Sequence, residues 1–411
     1  MPKMIVRALA AILLMSSFAA PVGATPLDDA NAAADSGDYA KAMQLVRPLA
    51  EQGDPAAQYD LGVMYYAGQG VSRDAVEAAR WFGKAAEQGD LNAQYNLGVL
   101  YDHGLGVAQN DTEALKWYRK SAEQGYAPAE TNLGGMYDHG RAVPLDHAEA
   151  LRWYRKAAEQ GLAPAQFNLG AMYYNGQGVA QDTAEAMNWC RKAAEQGFAM
   201  AQNYLGQIYV DAPAQDYAEA VKWFRKAAEQ GNADGQLNLG LRYENGEGVP
   251  QNYAEAMKWY RLAADNGKLG AMYGIALMYD NGEGVAQDFG EAINWYRRAA
   301  EHGFPPAESN LGLMYQSGKG VPQDYAEAAN WYRKAAEQGL PTAQANLGNL
   351  YIGGRGVPLD RVHAYMWLSV AAARGDPNAE KIQQRVAKAM TQAEITEAQR
   401  LAAEWKPGAA H

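Results

Sequence analysis

Apolar positions in this chain return to the same helical phase twice in each stretch of 36 residues. The glycines that close the Ala-Ala-Glu-Gln-Gly runs and their variants mark the period: Gly53, Gly89, Gly125, Gly161, Gly197, Gly231, Gly267, Gly303, Gly339 and Gly375, with one shortened step from Gly197 to Gly231. A fixed period of this size denotes stacked supersecondary units, each burying its apolar face only against its neighbours. Within a unit, Ala93, Leu97 and Tyr101 lie four residues apart and share one face of a helix. A second helix places Ala186, Trp189, Cys190, Ala193 and Ala194 on a stripe of helical spacing. The pattern therefore predicts an all-α, right-handed α-solenoid of about ten helix-turn-helix repeats.

Local signals set the ends of these helices. Asp or Asn is followed three residues later by Glu at Asp74 and Glu77, Asn110 and Glu113, Asp146 and Glu149, and Asp182 and Glu185; Asp216, Asn252, Asp288 and Asp324 continue the series. This is the spacing of a capping box, in which the two side chains each satisfy an orphan backbone N–H. The glycine beyond each second helix suits a left-handed C-cap. A further glycine recurs inside the first helix, at Gly62, Gly98, Gly134, Gly170, Gly206, Gly240, Gly312 and Gly348, with Ala276 in the one departing repeat. Mid-helix glycine costs about 1 kcal/mol against alanine. Its recurrence predicts close approach of the neighbouring helix backbone.

Nine tryptophans fall at one position of the second helix: Trp81, Trp117, Trp153, Trp189, Trp223, Trp259, Trp295, Trp331 and Trp367. Aromatic residues at helical spacing pack a core face, so these form a spine. Cys190 replaces the Tyr or Phe that follows Trp elsewhere and reads as a buried, inert thiol.

The motifs Ala-Gln-x-x-Leu-Gly-x-x-Tyr, Gly-x-Gly-Val, Asp-x-x-Glu-Ala and Trp-Tyr-x-x-Ala-Ala-x-x-Gly together resemble the Sel1-like repeat family, which is related to the tetratricopeptide repeats. The resemblance covers about Asp54 to Gly375 and implies an adaptor role. The division that follows is residues 25–53 as an N-terminal capping repeat, 54–375 as nine Sel1-like repeats, 376–405 as C-terminal capping helices and 406–411 as a flexible tail. Pro48, inside the second capping helix, predicts a bend. The shortened step falls at Asp211, Ala212, Pro213 and Ala214.

The first 24 residues read differently. Lys3 and Arg7 precede an apolar stretch from Ala8 to Ala20, and Val22, Gly23 and Ala24 supply small residues for cleavage before Thr25. The stretch is shorter than the ~20 residues a membrane span requires. It predicts a signal peptide over 1–24 and a periplasmic or secreted protein with no transmembrane anchor after cleavage. The net charge is −11, and two of the positive charges lie in that leader. Such a balance repels phosphate backbones, so no nucleic-acid partner is expected. One cysteine permits no internal disulfide.

Candidate chemistry is sparse. The Gly-x-Gly-Val loops join two helices and lack the strand-loop-helix setting of a nucleotide site. His103 and His139 occupy equivalent positions one repeat apart, about 10 Å across stacked helices, too far to share a metal. There is no Gly-x-Ser-x-Gly, Ser-x-x-Lys or Lys-Thr-Gly, so no enzyme, cofactor or metal is expected. What remains is a ladder of amides on the first helix: Asn96, Asn132, Asn168, Asn238, Asn310 and Asn346, interrupted by Asp60, Tyr204 and Gly274. Asn carries donors and an acceptor, which suits clamping an extended peptide along a concave groove, and Asn at the matching position of tetratricopeptide arrays can contact peptides. The same amides can instead bridge adjacent helices. The chain reads as a non-catalytic scaffold for a protein or peptide partner in the bacterial envelope. The alternatives are a carbohydrate or peptidoglycan binder and, behind it, a hydrolase of the kind named for β-lactamase-labelled relatives.

Overall fold

The computed structural model describes residues 25–213 and 215–408. The expected leader and Ala214 lie outside the described residues. Among the described residues the chain forms 22 helices and no strand, a helical-repeat solenoid. It divides into two compact units, the first ending at Ala201 and the second beginning at Gln202. In the first unit the pair Pro26–Asp35 and Tyr39–Glu51 precedes four full pairs, whose first helices are Pro55–Ala67, Leu91–His103, Ala127–His139 and Ala163–Asn175. Their partners are Ala75–Glu87, Asp111–Glu123, His147–Glu159 and Thr183–Glu195. Ala199–Asp211 runs across the division and Tyr217–Glu229 follows it. In the second unit the pairs are Ala233–Asn245 with Tyr253–Asp265, Leu269–Asn281 with Phe289–Ala300, Pro305–Ser317 with Tyr325–Glu337, and Pro341–Gly353 with Arg361–Ala373. Ala379–Ala387 and Gln392–Glu404 close it. Tyr39–Glu51 continues as one helix through Pro48.

The mid-helix glycine has a more specific reason than backbone approach. A Cβ on Gly98 would lie 2.7 Å from the ring of Tyr118, and one on Gly134 would lie 2.8 Å from that of Tyr154. The glycine is a notch, filled in most repeats by the ring after Trp, by Cys190 at Gly170 and by Leu368 at Gly348. The opposing backbone is farther away, with the Ala150 carbonyl oxygen 3.3 Å from the same Gly134 position. Tyr118, Tyr260 and Tyr332 are fully buried there, and Tyr296 is equally buried opposite Ala276. Several keep a hydroxyl bond at the rim, as from Tyr118 to Asp102 (3.2 Å) and from Tyr296 to Asp280 (3.1 Å). Cys190 faces Gly170 in the same way, fully buried, and burial pushes its thiol up to about 12.

The tryptophans reach back to the preceding repeat. Trp81 packs with Val46, Leu61 and Met64, and Trp153 with Tyr118, Leu133 and Met136. Six of the nine are buried; Trp189, Trp259 and Trp295 are half-buried. The outer faces of most carry a cation three residues on, with Lys84 3.9 Å from the Trp81 ring centre and Lys334 3.8 Å from that of Trp331. Cation–π attraction and the lysine stem thus cover a ring that would otherwise meet water. A further rung joins neighbours where Arg119 donates to the hydroxyl of Tyr137 (3.0 Å) and Arg155 to that of Tyr173 (2.7 Å).

Only half of the expected capping box forms on the internal second helices. Asp74 accepts from the N–H groups of Val76 and Glu77 at 2.9 and 3.0 Å. The reciprocal bond is missing because the Asp74 N–H already donates to the Tyr65 carbonyl (2.9 Å), and Asn110 does the same to Tyr101. Glu77 pairs with Arg80 instead, and Glu113 with Lys116. Complete boxes form at Thr25 with Asp28 and at Thr391 with Glu394. At the C-terminal end Trp405 is buried, and the Gly408 N–H donates to the Glu337 carbonyl (2.9 Å).

Trp153→Ala should destabilise the first unit by about 3–5 kcal/mol, the range of large-to-small core changes, measured by denaturant unfolding. A loss below about 1 kcal/mol would place Trp153 outside the core.

Candidate functional site

The asparagine ladder sits on the first helices, two residues before the notch glycine. Four of its six members are occupied by the stack. Asn96 is buried and hydrogen-bonds Tyr59 of the preceding repeat. Asn132 bonds both Tyr95 and Tyr118. Asn238 donates to the side-chain amide oxygen Oδ1 of Asn203 at 2.9 Å. Asn310 donates to the hydroxyls of Tyr296 (3.1 Å) and Tyr273 (3.4 Å). The tyrosines explain this use. A phenol at the preceding repeat's equivalent helix, or in the notch, leaves its oxygen within the stack, and an amide can satisfy it there.

Asn168 and Asn346 make no hydrogen bond among the described residues. Each lines an open polar cleft. Around Asn168 the cleft measures about 320 Å³ and is walled by Asn132, Thr131, Tyr154, His139, Asp102 and Arg141. Around Asn346 it measures about 520 Å³, with Thr342, Asn349, Lys381 and Arg385 supplying polar groups and Ala345 and Ile382 an apolar wall. The ladder is therefore not one continuous row of open amides. It is a set of internal bridges with openings at Asn168 and Asn346.

The first cleft has an unusual loop at its edge. In most repeats the second glycine of Gly-x-Gly presses on the preceding repeat: a Cβ on Gly106 would lie 2.1 Å from the Ala75 carbonyl oxygen. Ala142 takes this position at φ 56°, a left-handed conformation that costs a non-glycine residue about 1–3 kcal/mol. Its neighbour Arg141 offsets that strain by bonding Asp102 (2.5 Å) and Asp111 (2.6 Å) of the repeat before. These bonds raise the Arg141 pKa further. Nearby, His147 lies 2.8 Å from Asp138 and His139 2.9 Å from the Gly135 carbonyl. Sequence reasoning missed this cluster, although the loss of glycine at residue 142 was visible as a break in Gly-x-Gly.

At the interrupted ladder position, burial and the nearby Asp90 and Asp54 push the Asp60 carboxyl up to about 7. Among the described residues, no group of three or more His, Cys, Asp or Glu side chains could hold a metal ion.

The Sel1 repeat matches nine consecutive segments, 55–90, 91–126, 127–162, 163–198, 199–232, 233–268, 270–304, 305–340 and 341–376. Among solved structures, a protective antigen present in uropathogenic Escherichia coli strains and displaying an SLR fold is similar at TM-score 0.78 and 35% identity. The match covers 98% of this chain and 84% of that one. A Sel1 repeat protein from Oxalobacter formigenes is 34% identical over 92% of this chain and 99% of its own, with TM-score 0.43. No curated protein matches the chain.

Proposed function

The chain belongs to the Sel1 repeat family, and we propose that it is an exported, non-catalytic scaffold that holds a protein or peptide partner in the bacterial envelope. The observation that carries this reading is the pair of unoccupied ladder amides, Asn168 and Asn346, each in an open cleft on a first helix. An amide there can donate to a backbone carbonyl and accept from a backbone N–H of an extended segment. The Asn346 cleft adds cations and an apolar wall, the mixture that suits peptide.

A carbohydrate platform would need exposed aromatic faces. Here the notch tyrosines are fully buried and the other first-helix tyrosines, such as Tyr95 and Tyr273, are partly buried against neighbouring rings. Peptide is the better fit.

Export rests on the sequence of residues 1–24. Among the described residues no helix is long and apolar enough to cross a membrane. The likeness to a protective antigen agrees with a protein presented outside the cytoplasm.

Two measurements test these claims. N-terminal sequencing of the protein recovered from periplasm or medium should begin at Thr25; intact Met1 on membrane-embedded protein would overturn export and cleavage. For binding, Asn168→Ala combined with Asn346→Ala should abolish capture of the partner from envelope extract and shift the melting temperature by no more than a degree or two, as for groups with no internal role. Asn310→Ala, which removes two bonds worth about 0.5–1.5 kcal/mol each, should lower the melting temperature by several degrees and leave capture intact. The opposite pattern would refute the assignment of the open amides to binding.

A further inference from the structure

A second amide ladder, deeper than the first, links the repeats. Gln58, Gln94, Gln166, Gln236 and Gln344 are buried on the first helices. Each Nε2 reaches back eight residues to a carbonyl of the preceding second helix. These carbonyls belong to Ala50 (3.1 Å), Ala86 (3.1 Å), Ala158 (3.2 Å), Ala228 (3.3 Å) and Ala336 (3.0 Å). In four of these repeats the Oε1 accepts from the amide that closes the same repeat's second helix. The donors are Gln88 (2.8 Å), Gln124 (2.8 Å), Gln196 (2.7 Å) and Asn266 (3.2 Å). One side chain thus holds two connections, and the backward one needs a donor.

Two repeats carry a carboxyl at this position. Glu130 and Glu308 are 3% and 2% exposed, as buried as the glutamines they replace. Their other connection is kept, Gln160 donating to Glu130 Oε2 (2.7 Å) and Gln338 to Glu308 Oε2 (2.8 Å). An oxygen stands where the other repeats carry Nε2, and the carbonyls in register with those that accept from the glutamines are those of Ala122 and Ala300. An ionised carboxylate sets two acceptors against each other, whereas a protonated carboxyl donates and restores the bond. We infer that Glu130 and Glu308 make these two repeat junctions pH-responsive, closed by a hydrogen bond when the carboxyl is protonated and loosened when it ionises.

The surroundings agree with this reading. Burial pushes both carboxyls upward, Glu308 to about 7. Opposing charge comes from Lys156 near Glu130 and Lys334 near Glu308, and Glu337 adds to the upward push on Glu308. Because the folded-state pKa is raised, the folded chain binds more protons than the unfolded one. The stabilisation from these groups is complete below the ordinary glutamate range, near about 4.3, and is lost as pH rises through the folded value. Glu130 shares its helix with Asn132 and Thr131 of the first cleft, so loosening that junction acts on a wall of the proposed binding site. This link, unlike the switch itself, rests on the function proposed above.

The test is thermal unfolding of the full mature chain from pH 5 to pH 8.5, with Glu130→Gln, Glu308→Gln and the double variant. Glutamine restores the donor at every pH. The double variant should match the parent within a degree or two at pH 5 and melt several degrees higher at pH 8. Buried carboxyls common to both chains, such as Asp60, cancel in this difference. Hydrogen exchange should show faster opening across residues 120–130 and 298–308 in the parent than in the variant at pH 8, and equal opening at pH 5. A difference in melting temperature that does not change with pH, or a variant less stable at pH 8, would overturn the switch. Because this readout uses no partner, failure of the binding proposal leaves it unaffected.

Discussion

How closely the two helices of most repeats can lie is fixed by a missing methyl group. At Gly98, Gly134 or Gly240 a Cβ would meet an aromatic ring at under 3 Å, and without it the ring sinks into the helix. The helix tolerates the propensity cost of about 1 kcal/mol because burying the ring returns more, on the scale of 1.5–3 kcal/mol for a large apolar side chain. That seating sets the rest. It turns the adjacent tryptophan toward the preceding repeat, where Trp153 meets Tyr118. It also brings the Asp74 N–H onto the Tyr65 carbonyl, so the loop joins the helices through a backbone bond and leaves the glutamate free for Arg80.

Much of this was legible because the repeat enforces it. The period, the helix phase and the aspartate caps each rest on a local rule that neighbouring units cannot override. The tryptophan spine followed from phase alone. Other features depend on which atoms meet across the stack. The notch glycine was visible, but its occupant, a ring in place of backbone, was not. The capping box looked complete because sequence spacing does not show that another carbonyl has already taken the N–H of Asp74. The cation over most of the tryptophans was readable as Trp-x-x-Lys or Trp-x-x-Arg, at a spacing that places both on one helical face. Glu130 and Glu308 were readable too, as acids in a column of glutamines, although their burial was not.

The two amide columns show how little of a repeat surface is free for a ligand. The glutamine column is buried in junctions, and most of the asparagine column satisfies tyrosine hydroxyls, as with Asn310 and Asn132. Asn168 differs because the preceding repeat carries Thr131 at the first-helix position from which Tyr95 meets Asn132. Asn346 is alike, with Ser309 at that position of the repeat before it, where Tyr273 meets Asn310. Loss of that first-helix tyrosine is what leaves these amides open. The candidate binding positions therefore follow repeats that depart from the consensus at one site.

The dependence of each helix pair on its notch is most directly tested with two adjacent glycines in the helix Ala127–His139. A Cβ on Gly134 would lie 2.8 Å from the Tyr154 ring, whereas one on Gly135 would meet only the Tyr154 hydroxyl, at 3.5 Å. Denaturant unfolding should show Gly134→Ala destabilised by about 1–3 kcal/mol, the cost of overpacking. Gly135→Ala should be unchanged or more stable by up to about 1 kcal/mol, from helix propensity. If both alanines stabilise equally, the ring does not require the notch and the account of the repeat is wrong.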